Sequence, residues 1–210
     1  VNLPEKRIAD GLVAARHWVF DLDGTLTVPS HDFDAIRRAL DIAPEADILE
    51  HLASLPAHVA REKHAWLFEH ERELARAARP APGASELVAH LHEAGARLGI
   101  LTRNARELAW ITLEAIGLSR DFEQEAVLGR EDAAPKPSPE GLLRIAEAWQ
   151  VPPSALVMVG DYRFDLECGR RAGAKTVLVN LPENPWPELA DLHAPTCATL
   201  RASLGAARLE

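Results

Sequence analysis

The chain has 210 residues, with 32 Asp and Glu against 23 Lys and Arg and a formal charge of −9. With 47% apolar and 26% charged residues it has the make-up of a folded globular protein, one core plus a modest insertion, and not of a long disordered segment. An acidic balance without a basic run argues against binding to nucleic acid or to an anionic membrane, because affinity for phosphate backbones comes from clustered Lys and Arg. No apolar stretch approaches the roughly 18 residues of a membrane span, and the first residues carry no secretory-type apolar run. Two cysteines, Cys168 and Cys197, make neither a disulfide framework nor a zinc set. A cytoplasmic setting is expected.

Taken in chain order, short apolar runs alternate with helical patterns, which predicts an α/β fold with a mostly parallel sheet. The predicted strands are 17–21, 97–102, 126–128, 156–160 and 176–180. Helical periodicity covers 84–94, with Leu87, Val88 and Leu91; 105–116, with Leu108, Ile111, Leu113 and Ile116; and 139–149, with Leu142, Leu143, Ile145 and Trp149. Asn104 followed by Glu107 resembles a capping box, and Ser138-Pro139 reads as an N-cap with proline at the first helical position. The stretch 29–79 breaks the alternation. It is charged, has no strand pattern, and shows helical spacing over 33–40, 46–53 and 59–78, so a small all-helical insertion after the first strand is expected. Residues 1–28 and 80–210 then form the core domain. A proline-rich loop with Pro182, Pro185 and Pro187 precedes a last short strand and helix.

Ligands of open α/β sheets bind beyond the carboxyl ends of the strands. The first strand runs into Asp21-Leu22-Asp23-Gly24-Thr25, the second into Thr102-Arg103-Asn104, and the fourth into Asp161 with Asp165 four residues on. Pro135-Lys136-Pro137 precedes the helix after the third strand. Four carboxylates, a hydroxyl and a lysine therefore converge on one sheet edge. Crowded carboxylates repel unless something positive sits among them, and oxygen ligands suit a hard divalent cation such as Mg²⁺.

With DLDGT at 21–25, ILTRN at 100–104, PKPSPEG at 135–141 and GDYRFD at 160–165, the sequence resembles the haloacid dehalogenase-like (HAD) hydrolases, in their phosphoglycolate phosphatase-like branch with a helical cap. The resemblance implies a Rossmann-like parallel-sheet core with residues 29–79 as the cap. It implies an Mg²⁺-dependent phosphatase of small phosphomonoesters, with phosphoglycolate the first expectation. By the same resemblance Asp21 is the nucleophile that becomes an aspartyl-phosphate, and Asp23 is the general acid and then base. Thr102 hydrogen-bonds the transferring phosphoryl group, and Lys136 neutralises charge on it and on the nucleophile. Mg²⁺ is held by Asp21, the backbone carbonyl of Asp23, Asp161 and, directly or through water, Asp165.

This division agrees with what phosphoryl transfer asks of a protein, which is positioning and charge neutralisation. Gly24 and Gly160 would allow close backbone approach at the two turns. Asn104 reads either as a helix cap or as a substrate contact, and Arg103 as exposed or as reaching the substrate. Related caps carry a substrate-selecting loop near the break at Leu55-Pro56, which makes His58 and Arg61 candidates to touch the leaving group. His58, His64 and His70 are six apart, rotated by about 240° from one to the next, so they share no helix face and form no zinc site. Two other chemistries are weighed. A phosphomutase of the β-phosphoglucomutase type shares the motifs but needs a sugar-holding cap, and carbon–halogen hydrolysis does not need the acid Asp23. No surface stripe predicts an oligomeric state.

Overall fold

The computed structural model describes residues 11–30 and 32–206. Within them the strands are β1 (His17–Phe20), β2 (Arg97–Leu101), β3 (Val127–Leu128), β4 (Leu156–Gly160), β5 (Lys175–Val179) and β6 (Leu192–Ala194). They form one sheet in the order β3-β2-β1-β4-β5-β6, with every pairing parallel. This is an α/β, Rossmann-like fold.

The strands read as continuous apolar runs because helices cover both faces. Trp18, Phe20, Val157, Val159, Val177 and Val179 point to one side, where they pack with α4 (Ala84–Glu93), α5 (Arg106–Ala115) and α8 (Cys197–Ala206). Val19, Leu101, Leu156 and Met158 point to the other, against α6 (Glu140–Trp149) and α7 (Arg163–Ala172). The alternation is the two-residue period of a strand, here with both faces buried. From β1 the chain moves toward β2 and β3, and from β4 toward β5 and β6. The strand order therefore reverses between β1 and β4, and such a reversal opens a crevice at the strands' carboxyl ends.

The chain leaves and re-enters this sheet at one narrow neck. Thr27 and Pro80 form an antiparallel bridge, Val28 N–H donates to Arg79 O at 2.9 Å, and Ala81 N–H to Leu26 O at 2.9 Å. Between them run α1 (Phe33–Ala39), α2 (Ile48–Ser54) and α3 (Ala57–Arg76). Asp32 and Asp47 start the first two helices by accepting from Ala35 N–H at 2.8 Å and Glu50 N–H at 3.1 Å, which satisfies amides that have no intrahelical partner. Ile36, Leu40, Ile42, Leu52 and Leu67 form a small core of their own. The end of α3 instead packs on α5 through Phe68, Ala75, Ala105, Leu108 and Ile111. Among the described residues no helix is long and apolar enough to cross a membrane.

Two helix starts differ from the sequence expectation. Asn104 does not cap the helix after β2, since that helix begins at Arg106 with Ala105 as its N-cap. The next begins at Glu140 with Pro139 as N-cap, and Ser138 Oγ accepts from Glu140 N–H at 3.3 Å. In the first case the residue is drawn into the cleft described next.

Candidate active site

Asp21 continues β1 by one residue, its N–H donating to Val159 O at 2.9 Å, and the chain then turns tightly through 22–26. Gly24 sits in that turn at φ +87°, and a Cβ there would lie 2.5 Å from Asp161 Oδ2, so only glycine lets the β1 turn close on the β4 turn. Thr25 Oγ1 donates to Asp161 Oδ1 at 2.9 Å. Asn180, just beyond β5, donates through Nδ2 to Gly24 O at 2.9 Å and Thr25 O at 2.8 Å. A Cβ on Gly160 would meet the Asp165 carboxylate 2.3 Å away, the second turn with room for no side chain.

These turns bring Asp21, Asp161 and Asp165 together, with carboxylate oxygens all within 4.8 Å of one another. Lys136 is buried among them, its Nζ 2.6 Å from Asp21 Oδ1 and 2.6 Å from Asp165 Oδ1. Asp165 Oδ2 accepts from Tyr162 N–H at 3.0 Å. Burial alone would lower the lysine's pKa, but the Asp165 and Asp21 carboxylates outweigh it and hold the ammonium charged. Burial, then the charge of Asp21, pushes Asp23 up to about 7, against a hydrogen bond from Asn104 and the charge of Lys136. Asp161 is pushed up to about 7 by burial and by Asp21 and Asp165. Asp165 is pushed up to about 6, chiefly by burial, with Lys136 opposing. Four carboxylates around one ammonium leave excess negative charge. An all-oxygen, anionic donor set of this kind fits a hard divalent cation, and Asp21, Asp161 and Asp165 could hold it.

Thr102 is buried at the end of β2, where its Oγ1 accepts from Asn104 N–H at 3.0 Å. Asn104 is also buried, Oδ1 accepting from Ala105 N–H at 2.8 Å and the side chain bonded to Asp23. A cleft of about 410 Å³ opens above these groups and is closed on its far side by α1, α2 and α3. Of the residues expected at the site, Asp21, Asp23, Thr102, Arg103, Asn104, Lys136, Asp161 and Asp165 all line it. His58 and Arg61 do not. They are exposed on the first turn and a half of α3. That helix reaches the cleft at Leu67 and Glu71, about 13 and about 20 Å farther along its axis than His58 at 1.5 Å per residue.

Among the described residues two ion pairs join the helical insertion to the core across the cleft. Arg103 Nη2 is 2.6 Å from Asp47 Oδ2, with its guanidinium 5.3 Å from the Phe164 ring centroid, and Arg130 Nη1 is 3.0 Å from Glu71 Oε2. Partial burial opposes the shift, but Arg103 and the α2 amides hold the Asp47 carboxyl below its usual range. Arg130, Asp47, Glu71 and Asn180 are not marked by a motif, and Phe164 lies in the GDYRFD run without being singled out. Asn180 is the exception in kind, since reading the fifth strand at its last residue, as for the others, would have found it. Arg130→Ala is expected to destabilise the fold by about 3 kcal/mol, because it removes a charged partner of the largely buried Glu71 carboxylate. Urea unfolding of Arg130→Ala, Glu71→Ala and the double variant checks this. A coupling energy below about 0.5 kcal/mol would rank the pair with ordinary surface pairs.

Comparison with known proteins agrees with this geometry. The family model for haloacid dehalogenase-like hydrolases matches residues 16–173. A haloacid dehalogenase-like hydrolase domain-containing protein of Arabidopsis thaliana is 34% identical over 176 residues, covering 77% of this chain and 69% of its own. A phosphoglycolate phosphatase of Mesorhizobium japonicum is 28% identical over 186 residues, covering 77% and 81%. The crystal structure of a hydrolase from Pseudomonas syringae superposes with a TM-score of 0.74 at 22% identity, covering 91% of this chain and 98% of that one. The chain belongs to the haloacid dehalogenase-like hydrolases.

Proposed function

We propose that the chain is an Mg²⁺-dependent phosphatase of small-molecule phosphomonoesters that works through a phosphorylated Asp21. The observation that carries this reading is the buried Lys136 bridging Asp21 and Asp165 at 2.6 Å each. A carboxylate so paired is fixed in direction, as a nucleophile must be. Asp21 attacks phosphorus, the ester P–O bond breaks, and Asp23 gives its proton to the leaving alkoxide. Asp23, pushed up to about 7, is close to half protonated at neutral pH, the condition for a group that first donates and then accepts. In the second step it takes a proton from the water that attacks the phosphorus and frees Asp21.

Thr102 Oγ1 already accepts from Asn104 N–H, so its own O–H is directed elsewhere and can bond a phosphoryl oxygen. Asn104, as donor to Asp23, orients the acid. Asp21, Asp161, Asp165 and the Asp23 backbone carbonyl would hold the cation, which when bound supplies charge neutralisation to the phosphoryl oxygens. Residues 29–79 act in this reading as a cap that excludes water. Arg103 serves it as a strut through Asp47.

Phosphate release from a panel of phosphoglycolate, hexose phosphates, glycerol phosphate and benzyl phosphate tests the proposal, with Mg²⁺ or with EDTA. Release with Mg²⁺ that falls at least roughly 100-fold in EDTA is expected. A folded, Mg²⁺-loaded preparation that releases nothing overturns it, and phosphate retained on Asp21 without release points to a mutase instead.

A further inference from the structure

The charges of the cleft are already spoken for on the side away from the carboxylate cluster. Among the described residues that line it, each arginine faces a carboxylate: Arg37 Nη1 is 3.2 Å from Asp34, Arg103 2.6 Å from Asp47 and Arg130 3.0 Å from Glu71. Lys136 is held between Asp21 and Asp165. The Arg37 pair is the weakest of the three, because Asp34 is exposed, although Arg37 Nε also donates to Ala46 O at 3.1 Å. At the two better-buried pairs, a carboxylate on the substrate's leaving group would have to displace Asp47 or Glu71 from its arginine and leave that group partly buried without it, which is unfavourable.

The rest of the wall is apolar. Phe33 comes from α1, Ile48 and Leu49 from α2, Leu67 from α3, and Tyr162 and Phe164 from the start of α7. Phe33 and Tyr162 are about half exposed, so two aromatic side chains border the cleft, one from the insertion and one from the core. The volume of about 410 Å³, against roughly 30 Å³ for one water, leaves space beside a phosphoryl group for a leaving group of ring size.

We infer that the cleft selects phosphomonoesters whose leaving group is uncharged and presents an apolar or aromatic face, and that it selects against carboxylated ones such as phosphoglycolate. The inference rests on the phosphatase reading and narrows its substrate class. Phe33 is the specificity-determining residue it singles out, since among the described residues it is the one aromatic that the insertion contributes to the wall.

The test pairs turnover with binding on the full chain in Mg²⁺. Benzyl phosphate and phosphoglycolate both leave as primary alkoxides, so a difference between them reports the tail rather than the chemistry. Expected is a kcat/KM at least about tenfold higher for benzyl phosphate, and about tenfold tighter calorimetric binding of 2-phenylethylphosphonate than of 3-phosphonopropionate. Phe33→Ala, at a half-exposed position on the first turn of its helix, should shrink both gaps severalfold, mainly by raising KM for the benzyl ester. Equal or stronger binding of 3-phosphonopropionate overturns the inference, as does a preference for phosphoglycolate that Phe33→Ala does not change. If the phosphonates bind in the expected order while no ester is hydrolysed, the phosphatase reading falls and the leaving-group selectivity of the cleft stands.

Discussion

Asp21→Asn is expected to slow phosphate release by roughly 10⁴-fold or more, about 5 kcal/mol of barrier, while the protein stays folded. The carboxamide keeps the shape of the carboxylate but has no anionic oxygen to attack phosphorus. Lys136 keeps its second carboxylate, Asp165 at 2.6 Å, so the buried ammonium is not stranded. The substitution also removes one of the charges that raise Asp23 and Asp161, and both should then ionise at lower pH. The loss of rate is therefore accompanied by unchanged or higher thermal stability, which separates a chemical defect from an unfolded one. Initial rates on the best ester, read beside circular dichroism and a melting curve, check both halves. A variant that keeps more than about 1% of the wild-type rate would remove Asp21 from the role of nucleophile.

Much of this site was legible before any coordinates, for a physical reason. In a sheet covered on both faces the strands are short apolar runs, and the first polar residue after each run must stand at the crevice. Asp21, Thr102 and Asp161 are each found that way, one residue beyond β1, β2 and β4. Asp165 lies in a flanking segment and reaches the same point because Gly160 leaves room for its carboxylate, and Lys136 comes in from the loop before α6 to meet Asp21 and Asp165. What the sequence does not reveal is which residues of the helical insertion meet the core.

His58 and Arg61 adjoin the break at Pro56, where a selecting loop would be expected. The long helix that follows the break instead carries Leu67 and Glu71 into the cleft and leaves its own beginning in solvent. Asp47 and Arg103 are 56 positions apart and Glu71 and Arg130 59. No local periodicity links such pairs, because they depend on how a separately packed group of helices sits against the sheet. Asn104 shows the same limit at short range. Its spacing to Glu107 suits a cap, but the helix starts one residue later and the amide is bonded to Asp23 instead.

Without divalent cation the fold is expected to lose stability as pH rises from about 4 to about 7, and Mg²⁺ should restore it. An unfolded aspartate titrates near 3.9, whereas in the folded chain Asp23 and Asp161 are pushed up to about 7 and Asp165 to about 6. Across that window the folded state binds more protons than the unfolded state, so the stability these groups allow is full at low pH and falls as pH rises through the folded values. His17 acts in the opposite sense. Burial and Arg97 lower its pKa, which adds stability as pH rises toward 6.5, but it is one partly exposed ring against three carboxylates.

The EDTA-treated protein should accordingly melt several degrees lower at pH 8 than at pH 5.5. A cation held by Asp21, Asp161 and Asp165 reverses the sign, because it favours the ionised form of the same groups. At 100 times its dissociation constant it adds about 2.7 kcal/mol, or roughly 5–10 °C. Asp161→Asn separates the two effects. It removes a carboxylate from the cluster while the Thr25 hydroxyl can still donate to its oxygen. The cation-free variant should therefore melt higher than wild type at pH 8, with a flatter pH profile and no response to Mg²⁺. Melting curves of both proteins at pH 5.5 and 8, with EDTA or Mg²⁺, give the answer. If Asp161→Asn lowers the cation-free melting temperature at pH 8, the carboxylate cluster is not the source of stored repulsion, and the stabilisation by Mg²⁺ would have to arise elsewhere in the chain.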